Sequence, residues 1–231
     1  MGIETGFKDI DNITGVLGNL ICIASRPAMG KRTLALNIIN NVAKQQKSIL
    51  IFSLDYGEKL LKNRIMNIES VNSSDFVETA GNLLLLEKQL YLYDNILDIT
   101  GIEQKARELK LQENIGLIVI DYLQLIKHEG TLEEAIIRLK TLARELNIPV
   151  IILSQLSKEL ESREDKRPLL SDLKNSNCIT EYADTILFVY RDDYYNKDSE
   201  RKDLVEVIVA KTNRKITGTV YLVDVNTCYF E

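Results

Sequence analysis

Apolar positions along this chain follow two rhythms. Unbroken apolar runs at residues 20–24, 49–54, 89–93, 115–120, 150–154 and 186–189 have the length of strands but lack the alternation of a half-exposed sheet. A strand that is apolar at nearly every position is buried on both faces, as in a parallel sheet covered by helices. Between these runs lie stretches with helical spacing, at 33–44, 58–69, 75–86, 102–109 and 132–146. Ile148-Pro149 marks the exit from the last of them, because proline disfavours helix in the residue before it. Two further apolar stretches, 205–210 and 219–223, follow each other closely and predict an antiparallel hairpin on the sheet edge. The expected fold is α/β: a mostly parallel twisted sheet flanked by helices, with that hairpin at the C-terminal edge, in one domain over 1–231. Residues 158–168 are the longest unpatterned stretch, a charged loop.

Composition narrows the classes without choosing a function. Hydrophobic residues at 45% and charged residues at 27% are ordinary for a folded domain. No run approaches the roughly 18 apolar residues of a membrane span, and a signal-peptide pattern is missing at the start. One histidine, His128, and widely spaced Cys22, Cys178 and Cys228 form neither a zinc pattern nor a disulfide framework, which points to a reducing cytoplasm. The net charge of −5 excludes a generally basic coat for nucleic acid, so any DNA contact has to be a local patch.

The chemistry starts at Ser25-Arg26-Pro27-Ala28-Met29-Gly30-Lys31-Arg32, between the first predicted strand and the helix that opens at Thr33. There, successive backbone N–H groups and a helix N-terminus form an anion cradle, and a lysine reaches the outer phosphates. The G-x-x-x-x-G-K-[ST] pattern is met at Gly30 and Lys31. It departs at Ser25, in the first glycine place, and at Arg32, where a hydroxyl would hold Mg²⁺. Three more apolar runs lead to polar groups: Asp55, Asp121 and Gln155. Open α/β sheets bind ligands at the carboxyl ends of their strands, so these residues are expected to converge on the loop. Asp121 would then serve a metal shell, Asp55 would orient water, and Gln155 would sense the γ-phosphate.

The chain resembles the C-terminal motor domain of DnaB-type replicative helicases over nearly its whole length. The matching strings are Thr5-Gly-Phe-Lys-Asp-Ile-Asp11, Arg26-Pro-Ala-Met-Gly-Lys31, Phe52-Ser-Leu54, Ile120-Asp-Tyr-Leu-Gln-Leu125, Leu142-Ala-Arg-Glu-Leu146, Leu153-Ser-Gln-Leu156, Asp165-Lys-Arg-Pro168 and Tyr190-Arg-Asp-Asp193. The last, continued through Tyr194-Tyr195, resembles versions from phages of Gram-positive hosts. The resemblance implies a RecA-like fold, ATP with Mg²⁺ at the interfaces of a six-membered ring, and single-stranded DNA through its centre. The family's collar domain and linker helix have no counterpart here, so the isolated chain is expected to associate weakly.

Carried over by position, Lys31 is the phosphate-loop lysine, Asp121 the metal-shell aspartate, Gln155 the γ-phosphate sensor, and Arg64 an arginine reaching the nucleotide in cis. Several positions depart from the family. Arg32 stands for the metal-ligating Ser/Thr, which weakens the case for Mg²⁺, and Asp55 stands for the catalytic Glu. The segment that reaches a neighbour's nucleotide reads Lys211-Thr-Asn213-Arg214-Lys215, with asparagine in the arginine-finger place. The DNA loop reads Lys174-Asn175-Ser-Asn177. Two functions follow. One is a helicase ATPase domain with impaired hydrolysis. The other is a catalytically inactive relative that binds nucleotide and acts as an assembly or regulatory module, in its own ring or in a host helicase ring, with replisome partners. A RecA-like ATPase of the recombinase or clock type is disfavoured by the strings at Asp121 and Asp165.

Overall fold

The computed structural model describes residues 3–72, 76–96, 98–173 and 177–231. Nine strands form one sheet: β1 (Leu20–Ser25), β2 (Ser48–Ser53), β3 (Leu90–Tyr93), β4 (Ile115–Asp121), β5 (Val150–Gln155), β6 (Thr185–Tyr190), β7 (Leu204–Lys211), β8 (Gly218–Val225) and β9 (Cys228–Phe230). Their order is β3-β2-β4-β5-β1-β6-β7-β8-β9. The neighbours from β3 to β6 pair in parallel, and β6 to β9 are antiparallel.

The unbroken apolar runs divide between two cores because successive strand side chains point to opposite faces. Ile21, Ile23, Ile49, Ile51, Leu117 and Val119 join one core with α2 (Lys31–Lys44), α3 (Glu58–Asn72) and α4 (Phe76–Gln89). Leu20, Cys22, Leu50, Phe52, Ile118 and Ile120 join the other with α5 (Ile99–Gln112) and α6 (Leu132–Leu146). The predicted mostly parallel sheet, flanking helices and C-terminal hairpin are all present.

The differences have local causes. Predicted helix 102–109 starts earlier, at Ile99, because the Asp98 carboxylate caps it by accepting from the Gly101 N–H at 2.9 Å. Predicted helix 75–86 opens on a position outside the described residues, and α4 runs on to Gln89, leaving β3 to begin at Leu90. The short α1 (Lys8–Thr14) and three-residue β9 carry too little periodicity to be seen in sequence. At α6, Thr131 and Glu134 form a capping box, with Glu134 N–H to Thr131 Oγ1 at 3.2 Å and Thr131 N–H to Glu134 Oε2 at 3.0 Å.

The charged stretch 158–168 is more structured than its composition suggests. It opens with a 3₁₀ turn (Lys158–Ser162), and Arg163 makes a two-pronged bond to Asp172 at 2.8 and 2.7 Å. Arg167 binds buried Glu206 in the same manner, at 2.7 Å from both oxygens.

Asp184 fastens the start of β1. Its carboxylate accepts from the N–H groups of Asn19 (2.9 Å) and Leu20 (3.0 Å) and from the Lys140 ammonium (2.6 Å). Burial alone would raise its pKa, but the Lys140 bond and the Leu20 N–H outweigh it and hold the carboxyl below its ordinary value. A folded-state pKa lowered in this way stabilises the fold at neutral pH. That stabilisation is lost as pH falls below about 4, through the folded value. Asp184→Asn is therefore expected to lower stability by about 2 kcal/mol at pH 7. Urea unfolding should show the gap to the parent closing in acid, and a gap that persists there would contradict the assignment.

Candidate functional site

β1 ends at fully buried Ser25, whose hydroxyl donates to the Arg26 carbonyl at 2.7 Å. The chain then turns through exposed Pro27 and Ala28, is anchored by buried Met29, and enters α2 at Gly30. Gly30 caps that helix with φ of 99°, a backbone region that favours glycine. A Cβ there would also stand 2.1 Å from the Tyr229 hydroxyl. Conformation and space both require glycine. The first N–H groups of the 14-residue α2 lack helical partners, and with the helix dipole they offer an anion site.

Lys31 opens α2 half-buried. Burial, and after it the nearby Arg32 guanidinium, lower its pKa, while Asp121 and Asp55 pull it up. An ammonium held this way gains from an anionic ligand that replaces lost hydration.

Parallel register aligns Ser53 with Asp121 and Ser25 with Gln155, so these residues share the carboxyl edge of the sheet. Asp121, only 2% exposed, receives Arg32 Nε at one oxygen and Arg32 Nη2 at the other (3.1 Å). The same Nη2 donates to Asp55 at 2.8 Å. Lys31, Arg32, Asp55 and Asp121 thus form one electrostatic cluster. Tyr56 completes it, with its ring centre 4.0 Å from the Arg32 guanidinium carbon and 5.0 Å from that of Arg64. Burial would lower the Arg32 pKa, but its bonds to Asp121 outweigh that, and the group stays charged.

These residues do not fit a divalent cation. In the arrangement the resemblance implies, a hydroxyl and Asp121 hold the ion. Here the hydroxyl is replaced, and a guanidinium sits on both carboxylates.

Arg26 turns its side chain away from the cradle, donating from Nη1 to the Leu156 carbonyl at 3.0 Å and from Nε to Glu161 at 2.8 Å. Any phosphate contact from Ser25 or Arg26 would therefore come from backbone N–H groups. Gln155 ends β5 half-buried, and the preceding Ser154 hydroxyl accepts from the Gln124 amide at 2.8 Å. Thr33 lies beside the Tyr229 phenol.

Lys211 and Arg214 stand elsewhere. In antiparallel β7, Lys211 pairs with Ile186 near the start of β6, so it lies on the edge where the parallel strands begin, opposite the loop. Its ammonium donates to the carbonyls of Thr180 (2.6 Å) and Glu181 (3.1 Å), and Arg214 donates to the Asn12 carbonyl at 3.1 Å. Within one chain neither joins Lys31. Lys174 and Asn175 lie outside the described residues, and Asn177 enters only as the first residue of α7 (Asn177–Tyr182).

Tyr56, Glu161 and Tyr229 belong to this geometry and are not among the sequence candidates. Tyr56 follows Asp55 directly and is within reach of the motif. Tyr229 is not, because 199 positions separate it from Gly30.

The family model described as the DnaB-like helicase C terminal domain matches residues 2–229. The replicative DNA helicase DnaB of Geobacillus stearothermophilus is 42% identical over 245 residues, covering 96% of this chain and 54% of that protein. The replicative DNA helicase DnaC of Bacillus subtilis is 39% identical over 245 residues, with the same coverage of 96% and 54%. The chain therefore spans about half the length of the curated relatives it matches. Among solved structures, one described as an ATPase domain superposes with a TM-score of 0.88 at 34% identity, covering 100% of this chain and 91% of that one. A DnaB-like replicative helicase, whose structure is described together with its interactions with primase, superposes at 0.86 with 32% identity, covering 99% and 61%.

Proposed function

The chain belongs to the DnaB-like helicase C-terminal domain family, and on that premise we propose that it binds ATP and single-stranded DNA as the ATPase domain of a ring-forming replicative helicase. Its fold is RecA-like. The observation that supports the reading is that two groups of the residues expected at the site lie on opposite edges of one sheet. Gly30, Lys31, Asp55, Asp121 and Gln155 lie at one edge, and Lys211 with Arg214 at the other. Head-to-tail packing that closes by rotation brings one copy's second group to the next copy's first.

In this reading, Lys31 and the α2 N-terminus hold the phosphates. Asp55 orients the attacking water, Gln155 senses the terminal phosphate, and Arg64 reaches the nucleotide beside Tyr56. Lys211 and Arg214 act on the neighbour's nucleotide, and Lys174, Asn175 and Asn177 contact DNA. Affinity for DNA is weak in the isolated chain, because the net charge is −5. Hydrolysis is slow, because an arginine finger is replaced by Asn213 and the water-orienting acid is one methylene shorter. Among the described residues no helix is long and apolar enough to cross a membrane, and the reading places the domain in the cytoplasm. Primase, which the structural neighbour's description names, is one class of replisome partner to try.

The Arg32 clamp favours a second reading, an inactive nucleotide-binding module that assembles with its own copies or into another helicase's ring. ATP turnover with Mg²⁺ and single-stranded DNA tests both. The expected result is nucleotide binding with turnover barely above background. Robust DNA-stimulated turnover would discard the impaired site and leave a working motor.

A further inference from the structure

We propose that Arg32 is a built-in counterion, so that this site binds a nucleoside triphosphate with an affinity that does not depend on a divalent cation. The proposal rests on the reading of the Lys31 loop as a nucleotide site.

Geometry comes first. Two nitrogens of the Arg32 guanidinium, Nε and Nη2, bridge Asp121 and Asp55, and the Tyr56 ring packs against the guanidinium. Among the described residues Nη1 has no hydrogen-bond partner, so its N–H groups are left for a ligand oxygen. A guanidinium is a rigid planar fork that serves two carboxylates and still presents a free edge, which a flexible ammonium does not.

Charge balance points the same way. Lys31 and Arg32 offset Asp55 and Asp121, so the side chains of the site are near neutral on their own. A threonine in place of Arg32 would leave one ammonium against two carboxylates. That site would repel a polyphosphate until a cation entered. With Arg32 present, an entering cation would have to displace the guanidinium from both acids, one of them buried. It would also sit beside two fixed positive charges. The cation's role in neutralising phosphate thus passes to a side chain, and the binding contribution comes from charge-assisted N–H bonds.

ATP binding measured by calorimetry in Mg²⁺ and in EDTA tests this. The parent chain is expected to change its Kd by less than about twofold between the two conditions. Arg32→Thr should lose about tenfold or more in EDTA and recover in Mg²⁺. A parent chain that loses about tenfold in EDTA would overturn the counterion role while leaving the nucleotide reading standing. A parent chain that binds ATP in neither condition would instead remove the nucleotide reading, and the counterion with it. The parent comparison decides the matter alone if Arg32→Thr does not fold. Arg32→Lys keeps the charge without the fork and should fall between the two.

Discussion

Lys31→Ala is expected to lower ATP affinity by about a hundredfold while leaving thermal stability unchanged or slightly improved. The asymmetry follows from where the ammonium sits. Burial and Arg32 both disfavour its charge in the ligand-free protein, so the fold gains nothing by keeping it. A bound polyphosphate turns the same charge into charge-assisted hydrogen bonds worth about 1.5–3 kcal/mol, roughly one to two orders of magnitude in Kd. Calorimetric titration with ATP and a thermal scan of the same samples check both halves. A clear drop in melting temperature would mean that Lys31 is structural, and unchanged affinity would remove it from the site.

Glu206→Ala should have the largest effect on stability. Glu206 is 2% exposed and accepts two bonds from Arg167 and one from Arg201 at 3.0 Å. Removing the carboxylate takes away three charge-assisted bonds, but Arg167 and Arg201 are 36% and 48% exposed and rehydrate, so the cost is about 2–3 kcal/mol. For a domain of this size each kcal/mol moves the melting temperature by about 2–4 °C, so a fall of roughly 5–10 °C is expected. Scanning calorimetry measures it. Adding Arg167→Met should change this little, because a guanidinium 36% exposed is hydrated once its partner is gone. A shift within about 2 °C would place the pair among solvated surface contacts of little consequence.

The sheet was legible because burial on both faces writes itself into the strands as unbroken apolar runs. Asp55, Asp121 and Gln155 were legible for a related reason: each is a polar group on which an apolar run stops. The partners of Arg32 were not legible. As a residue in the sequence Arg32 is a missing hydroxyl. Its partners lie on two other elements, aligned by the pairing of Ser53 with Asp121. Arg167 shows the same limit from the other side. Within residues 158–168 its charge resembles that of any solvated loop, and only the fold supplies Glu206. β9 escaped because three residues carry no rhythm, yet its Tyr229 occupies the space beside Gly30.

The anchoring of Arg26 sets how stiff the loop is. Its side chain is buried, with one nitrogen on the Leu156 carbonyl and another on Glu161, both just past the end of β5. Glu161 belongs to the 3₁₀ turn that leads directly to Arg163 and its bonds on Asp172. A displacement of the loop backbone cannot be absorbed by swinging a free side chain. Either these bonds break or the turn moves with the loop. The phosphate cradle and the charged segment behind it are therefore geared together. By reciprocity, whatever holds that segment still also resists a change in the shape of the cradle.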